Sequence, residues 1–329
     1  MKRHVKDFGQ SVRARLLAIA HDNGIQLEYV LLRYAFERFL WRLGESRFFD
    51  SFVLKGASAF AAWLGPFVRV TRDADMEAFG DPSPEHLIAA FREICSILCP
   101  GDGISFADDS FSATSIRKQG GYPGVRVAFR AEIGGAKVPM QVDVGFGDSI
   151  HPMADVGDYP ALLGGCPPRI RIYPRYSVVA EKYQVMVSLD MANSRLKDFY
   201  DIWLLSERFD FDLELLKTAI AKTFARRNTA LPCGIPNALT SRFSESPAKQ
   251  SQWVAFLKNA GLAENGLTLQ RVIERIGQFL LPVIEPQVPC EATWIAGVGW
   301  SNTSHLKISA AVSSAGRASL TPRLTPPAT

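Results

Sequence analysis

Nowhere in the 329 residues do eighteen apolar residues follow one another, which leaves no candidate for a membrane-crossing helix. The first ten residues, MKRHVKDFGQ, lack the apolar stretch of a secretory signal, so a soluble, intracellular, cytoplasmic protein is expected. Cysteine is sparse: Cys95, Cys99, Cys166, Cys233 and Cys290 are five, odd in number and scattered. Cys95 and Cys99 lie one helical turn apart, but no second pair of metal-ligand spacing accompanies them, and free thiols are expected. The five histidines are equally dispersed and no HExxH spacing occurs, which argues against a zinc enzyme. Charge of one sign is also not abundant. A net charge of +4 and a pI near 8.8 tolerate a polyanionic partner without demanding one.

What is present is globular material, 47% hydrophobic and 21% charged, ample for a buried core. Residues 10–22 and 26–43 carry helical periodicity. In the second segment Val30, Tyr34, Phe36, Phe39, Leu40 and Leu43 form a broad apolar stripe, and Arg33, Glu37 and Arg42 are expected on a solvated face. The chain then changes character. Phe52-Val53-Leu54 reads as a short buried strand ending at Lys55-Gly56, with a helix over 57–64 stopped by Gly65-Pro66. VRVTRDADME reads as a strand and DPSPEHLIAAFREICSIL as a helix opened by prolines. Residues 112–118 suggest an edge strand, and 125–133 and 137–145 suggest a hairpin turned at Gly134-Gly135. From Ser177 helices dominate. Beyond about residue 302 Ser, Ala, Thr and Pro prevail with no acid, the composition of a disordered tail.

Within VTRDADME, Asp73 and Asp75 stand two residues apart, so a strand directs both to one face. Two neighbouring carboxylates repel and Asp is a poor strand former. Asp143, in the apolar run VPMQVDV, could converge with them from another strand. Such a trio needs hard cations, and Mg²⁺ favours carboxylates together with substrate phosphates. A glycine turn opening a helix at Gly56-Ala57-Ser58 would offer backbone N–H groups to phosphate. Arg117, Lys118, Arg126, Lys222, Arg226 and Arg227 are weaker candidates for contacts with a nucleic-acid backbone.

Gly56-Ala57-Ser58, the Asp73-x-Asp75 strand and Asp143 resemble the active site of the polymerase-beta-like nucleotidyltransferase superfamily. More narrowly, LKGASAFAAW, VTRDADMEAFGD, QVDVGFGD and AEKYQVMVSLDMANSRLKDFYDIWLL resemble the AbiEii/AbiGii-type toxin nucleotidyltransferases, over about residues 8–300. The resemblance implies an α+β fold, a mixed sheet flanked by helices, with N-terminal helices over 1–50, a nucleotidyltransferase core over 51–175, a helical domain over 176–287 and an extended segment over 288–329. It implies Asp73, Asp75 and Asp143 as ligands of Mg²⁺, with two ions expected. It also implies that Asp143 helps to activate the attacking hydroxyl, that Gly56, Ala57 and Ser58 hold the triphosphate, and that Lys182 reaches the phosphates. Asp198 and Asp201 match the family's last acidic motif.

The implied activity is transfer of a nucleoside monophosphate from an NTP, with loss of pyrophosphate, by the toxin of a type IV toxin–antitoxin or phage-defence pair. The 3′ end of tRNA is the expected acceptor, and a winged-helix regulator the expected antitoxin. A protein hydroxyl, a small molecule, or an inactive nucleotide- or RNA-binding protein on the same fold are the alternatives.

Overall fold

The structure, a computed structural model, describes residues 8–65, 74–117, 123–262, 266–284 and 292–302. Packing divides them into two compact units. The first holds the residues up to Gln184 together with Ala219–Ala230 and Leu257–Leu262; the second holds Val185–Thr218, Leu231–Phe256 and 266–302. The four-segment division expected from the sequence remains a proposal. Residues 303–329, expected to be disordered, lie outside the described residues.

The first unit opens with helices α1 (Phe8–Asp22) and α2 (Leu27–Gly44), close to the expected pair. Strand β1 (Phe52–Lys55) runs directly into α3 (Gly56–Leu64). Then come β2 (Ala74–Ala78), α4 (Pro84–Ser96), β3 (Ile104–Phe106), β4 (Ser112–Arg117), and the hairpin of β5 (Pro123–Ile133) and β6 (Ala136–Phe146). Helix α4 starts where its sequence says it should. Pro84 takes the first turn, where no N–H is needed, and the Ser83 hydroxyl accepts from His86 N–H. The hairpin turns at Gly134 and Gly135, both at positive φ (51° and 79°), as a tight two-residue turn requires. Strands β7 (Asp155–Asp158) and β8 (Arg169–Ile172) precede α5 (Arg175–Leu189), which continues into the second unit.

These strands form one eight-stranded mixed sheet, ordered β3-β5-β6-β2-β1-β8-β7, with β4 also on β5. Strands β2 and β6, and β1 and β8, run parallel, and the other pairs are antiparallel. Side chains alternate between the two faces. On one face Phe52, Leu54, Met76, Val142, Val144 and Phe129 join the core beneath α2 and α4. There Phe91 meets Phe39 (ring centroids 5.0 Å apart), Phe52 (5.8 Å) and Phe129 (5.8 Å). The other face is the polar one and carries the site.

The expected solvated face of α2 is corrected. Glu37 and Arg42 are buried, Arg38 with them, and Arg33 is half-buried. The helix is packed by α1, α4, β6 and β8, which leaves Glu37, Arg38 and Arg42 no route to water. The charges are satisfied internally instead. Arg42 pairs with Asp102 at 2.8 Å and donates to Ile97 C=O, while Glu37 pairs with Arg38 at 2.7 Å and accepts from Leu162 N–H.

The second unit is built on α6 (Leu196–Arg208), β9 (Phe211–Asp212), the start of α7 (Leu213–Arg226), α8 (Ser241–Ser244), most of α9 (Pro247–Asn259), α10 (Leu269–Ile284), β10 (Ala292–Ile295) and β11 (Gly299–Asn302). Its small sheet, β11-β10-β9, was not foreseen. Trp294 of β10 is fully buried against Phe279 (4.9 Å) and donates its indole N–H to Ser206 C=O at 2.7 Å. That is a core position, which an apolar ring with one polar atom can hold once the polar atom is paired.

Candidate active site

Four residues cross the polar face of the first unit's sheet in one row. Arg126 of β5 is in register with Asp143 of β6, Asp143 with Asp75 of β2, and Asp75 with Lys55 of β1. Register partners in adjacent strands share a face and stand about 5 Å apart. The structure therefore brings together Asp75 and Asp143, two of the three acids expected to converge. Asp73 lies outside the described residues. Among the described residues no group of three or more His, Cys, Asp and Glu side chains is placed to hold a metal. Still, the two register-paired carboxylates are hard oxygen donors that suit a divalent cation such as Mg²⁺.

Gly56 closes this row at the start of α3. Its φ is +68°, and a Cβ built there would fall on the Asp75 carboxylate. Only glycine permits both the backbone turn and this approach. Asp75 is thereby set at the N-terminal end of α3, where the helix dipole favours negative charge. Ala57 beside it is half-buried and Ser58 is buried.

Asp143 is not bare. Arg126 grips it with two parallel bonds, Nε to Oδ1 and Nη2 to Oδ2, both 2.8 Å, the strong fork geometry. Arg126 is thus an ion-pair partner inside the site rather than a nucleic-acid contact.

Next to this row stands a second charged group that the sequence reading did not find. The Lys55 ammonium pairs with Asp148, with Glu181 of α5 at 3.2 Å and with Glu77 of β2 at 3.4 Å. Arg227 pairs with Asp148 at 3.3 Å and with Glu181 at 3.2 Å, and it too is lost as a nucleic-acid contact. Tyr173 donates its hydroxyl to Glu181, and its ring lies 4.8 Å from the Lys55 nitrogen. Asp148 N–H donates to Glu77 at 2.8 Å. Three acids and two bases thus form one partly desolvated network.

Burial works against the charge of Lys55, but Glu181, Tyr173, Asp148 and Glu77 outweigh it and hold its pKa well above the ordinary lysine value. The acids split. Burial raises Glu77, and the nearby Asp148 and Glu181 charges add to that against Lys55. Asp148 is lowered, because Lys55 and Arg227 together overcome its burial. A signal for Glu77 was present, since it follows Asp75 by two residues on β2 and so shares its face. Arg227 had none, as it comes from a distant helix end.

Lys182 follows Glu181 on α5, half-buried, in the first unit. Asp198 and Asp201 lie in the second unit on the first turns of α6, both fully buried. Asp198 pairs with Arg195 at 2.7 Å. Nearby, the Asn193 carboxamide oxygen accepts from Arg195 N–H and its backbone carbonyl accepts from Lys249, so the chain just before α6 is held by hydrogen bonds.

Residues 38–275 match the family described as Nucleotidyl transferase AbiEii toxin, Type IV TA system. The chain belongs to this family. Family membership makes it a nucleotidyltransferase of toxin type, with an NTP as substrate, a divalent metal and an antitoxin as the general expectations of the family. No curated protein matches the chain. Among the solved structures that resemble it are two at 14% identity. One, of a candidate nucleotidyltransferase from H. pylori, has a TM-score of 0.48 and is matched over 80% of this chain and 97% of its own. The other, JHP933 from Helicobacter pylori, has a TM-score of 0.46 over 79% of this chain and 92% of its own. No helix among the described residues of this AbiEii-family chain is long and apolar enough to cross a membrane.

Proposed function

We propose that this AbiEii-family chain transfers a nucleoside monophosphate from an NTP to an acceptor hydroxyl, that of the 3′ end of tRNA, as a cytoplasmic type IV toxin of a phage-defence pair with a winged-helix antitoxin. The register pairing of Asp75 with Asp143 beside the Gly56 turn carries the reading. Asp73, Asp75 and Asp143 would hold Mg²⁺, two ions in this reading. Bound there, the metal would supply charge neutralisation on both the attacking and the leaving oxygens.

The chain's own groups do the rest. Asp143 takes the proton of the acceptor hydroxyl as its oxygen bonds to the α-phosphorus. The bond from that phosphorus to the bridging oxygen breaks, and pyrophosphate leaves. Gly56, Ala57 and Ser58 receive phosphate at the start of α3, where backbone N–H groups and the helix dipole favour anions. Lys182 adds a point charge to the phosphates, and Asp198 and Asp201 complete the motif.

The test is Mg²⁺-dependent transfer from each labelled NTP to total RNA and, separately, to total protein. Label in RNA at the size of tRNA supports the proposal. Label in protein alone moves the acceptor to a protein hydroxyl, and no label with any NTP leaves nucleotide binding as the activity of the fold.

A further inference from the structure

Asp143 meets the sheet's polar face with both carboxylate oxygens engaged by Arg126, and this is an unusual state for a side chain read as a metal ligand. Gln141, two residues earlier on β6 and hence on the same face, stands against the same guanidinium. With its amide turned so that the oxygen faces Arg126, it accepts from Nε at 3.0 Å and from Nη2 at 3.2 Å. Arg126 is therefore seated between two acceptors of one strand, which share its single Nε hydrogen.

Its side chain is 41% exposed, whereas that of Asp143 is 14% exposed. The cation is the water-reachable member of the pair, and the anion is the buried one.

We propose that Arg126 is a positioning residue that acts as a resident cation at Asp143, exchanged for the divalent metal when the site loads. The inference rests on the reading of Asp143 as a metal ligand. In the metal-free protein Arg126 holds the Asp143 carboxylate by two bonds beside its register partner Asp75 and sets a positive charge against it. With a divalent metal bound, Asp143 would serve as its ligand and the guanidinium would withdraw toward Gln141 and water. No covalent bond is made or broken, and one positive partner replaces another. Divalent affinity is thereby set by a competition built into the β5–β6 ladder.

The experiment uses the full chain and Mn²⁺ as the probe, with free Mn²⁺ followed by its electron paramagnetic resonance signal. Arg126→Gln removes the competing charge and should bind Mn²⁺ about tenfold more tightly, the scale expected when one fork-type ion pair at a carboxylate is lost. Arg126→Lys keeps the charge but not the fork and should tighten binding by less. In an Asp143→Asn background the Arg126→Gln change should have no effect. Mn²⁺ affinity unchanged or weakened in both Arg126 variants, with melting temperatures at the wild-type value, overturns the exchange. Should Arg126→Gln fail to fold, Arg126→Lys decides alone on the same criterion. If Asp143→Asn itself leaves Mn²⁺ affinity unchanged, the reading of Asp143 as a ligand is what fails, and the two failures are told apart.

Discussion

Asp75 and Asp143 lie on the same sheet face as Glu77, which the loop residue Asp148 and the helix residue Glu181 join from above, yet the two sets of acids are compensated differently. The carboxylates themselves do not differ much in burial, since Asp143 is 14% exposed and Asp148 15%. The difference is in the bases. Lys55 and Arg227, which serve the second set, are 10% and 13% exposed, against 41% for Arg126. A base without access to water cannot leave without stranding charge, while a half-exposed one can be exchanged. One set thus ties the sheet, the turn and α5 together, while the other, as proposed above, accepts a different cation.

The largest expected effect comes from breaking the exchangeable set. Asp75→Asn should bring transfer to the background of the assay while the protein still folds, because the substitution keeps the shape and removes a charge and a hard ligand. Wild-type turnover in this variant would rule out the role given to Asp75.

Breaking the fixed set should show in stability instead. Lys55→Met leaves Glu77, Asp148 and Glu181 with Arg227 as the one base of the network, and losing one partner of a buried ion pair typically costs about 3–5 kcal/mol. Chemical denaturation measures it. A loss below about 1 kcal/mol, the scale of a solvated surface pair, would show that the network is looser than its geometry.

The pH dependence follows from the same groups. Lys55 has a raised pKa in the folded state, so its contribution is complete below the unfolded value of about 10.4 and is lost as pH climbs through the folded one. Asp148 is lowered, so its contribution is present above about 3.9 and is lost as pH falls through its folded value. Glu77, raised, has the opposite sign and returns some stability on acidification. Lys55→Met should therefore flatten the alkaline slope in a pH series of unfolding curves, leaving the part that comes from the buried Tyr34, Tyr159 and Tyr183 hydroxyls, which burial also raises.

Between the two sets sits Gly56, whose substitution sharpens the contrast. Gly56→Ala must adopt a positive φ and push its methyl group into Asp75, and an unfavourable backbone region of this kind costs about 1–3 kcal/mol. Stability should fall by less than in Lys55→Met. Transfer should fall by more than stability accounts for, because the displaced group is Asp75. Equal transfer by Gly56→Ala and wild type at a temperature where both are folded would sink this account of the turn.

Much of this arrangement was legible from residue order, because local chemistry dictated it. The β1–Gly56–α3 unit, the Gly134-Gly135 hairpin and the proline-started α4 are written in neighbouring residues. What was not legible depends on partners far along the chain. Arg169–Ile172 is a strand because Ile172 finds Leu54 in the parallel β1, not because RIRI is apolar. The β10–β11 pair depends on Trp294 meeting Phe279. The α2 charges looked solvated because a helix pattern does not reveal how many sides will be covered. In the site, the acids of one strand and its neighbour could be inferred from alternation, but their bases could not. Lys55 reads as the end of a strand and Arg227 as a helix-end cation until folding brings them to the same carboxylates.

The smallest expected effect tests whether anything beyond the two sets is needed. The segment from Thr303 to Thr329 has Lys307, Arg317 and Arg323, no acid, and prolines at 322, 326 and 327. Ordering its backbone would cost roughly 1–2 kcal/mol per residue, and its few apolar residues, Leu306, Ile308, Val312, Leu320 and Leu324, follow no period that would face one core. The cut belongs after Asn302 and not sooner, because Ser301 and Asn302 pair with Thr293 and Ala292 in the β10–β11 ladder. A chain ending at Asn302 should melt within a degree or two of the full protein, since surface changes outside packed elements stay within about 0.5 kcal/mol, and should transfer nucleotide at the same rate. A large drop in melting temperature would mean that the segment covers part of the body. A selective loss of transfer to RNA, with melting unchanged, would give its three bases a role in holding the acceptor.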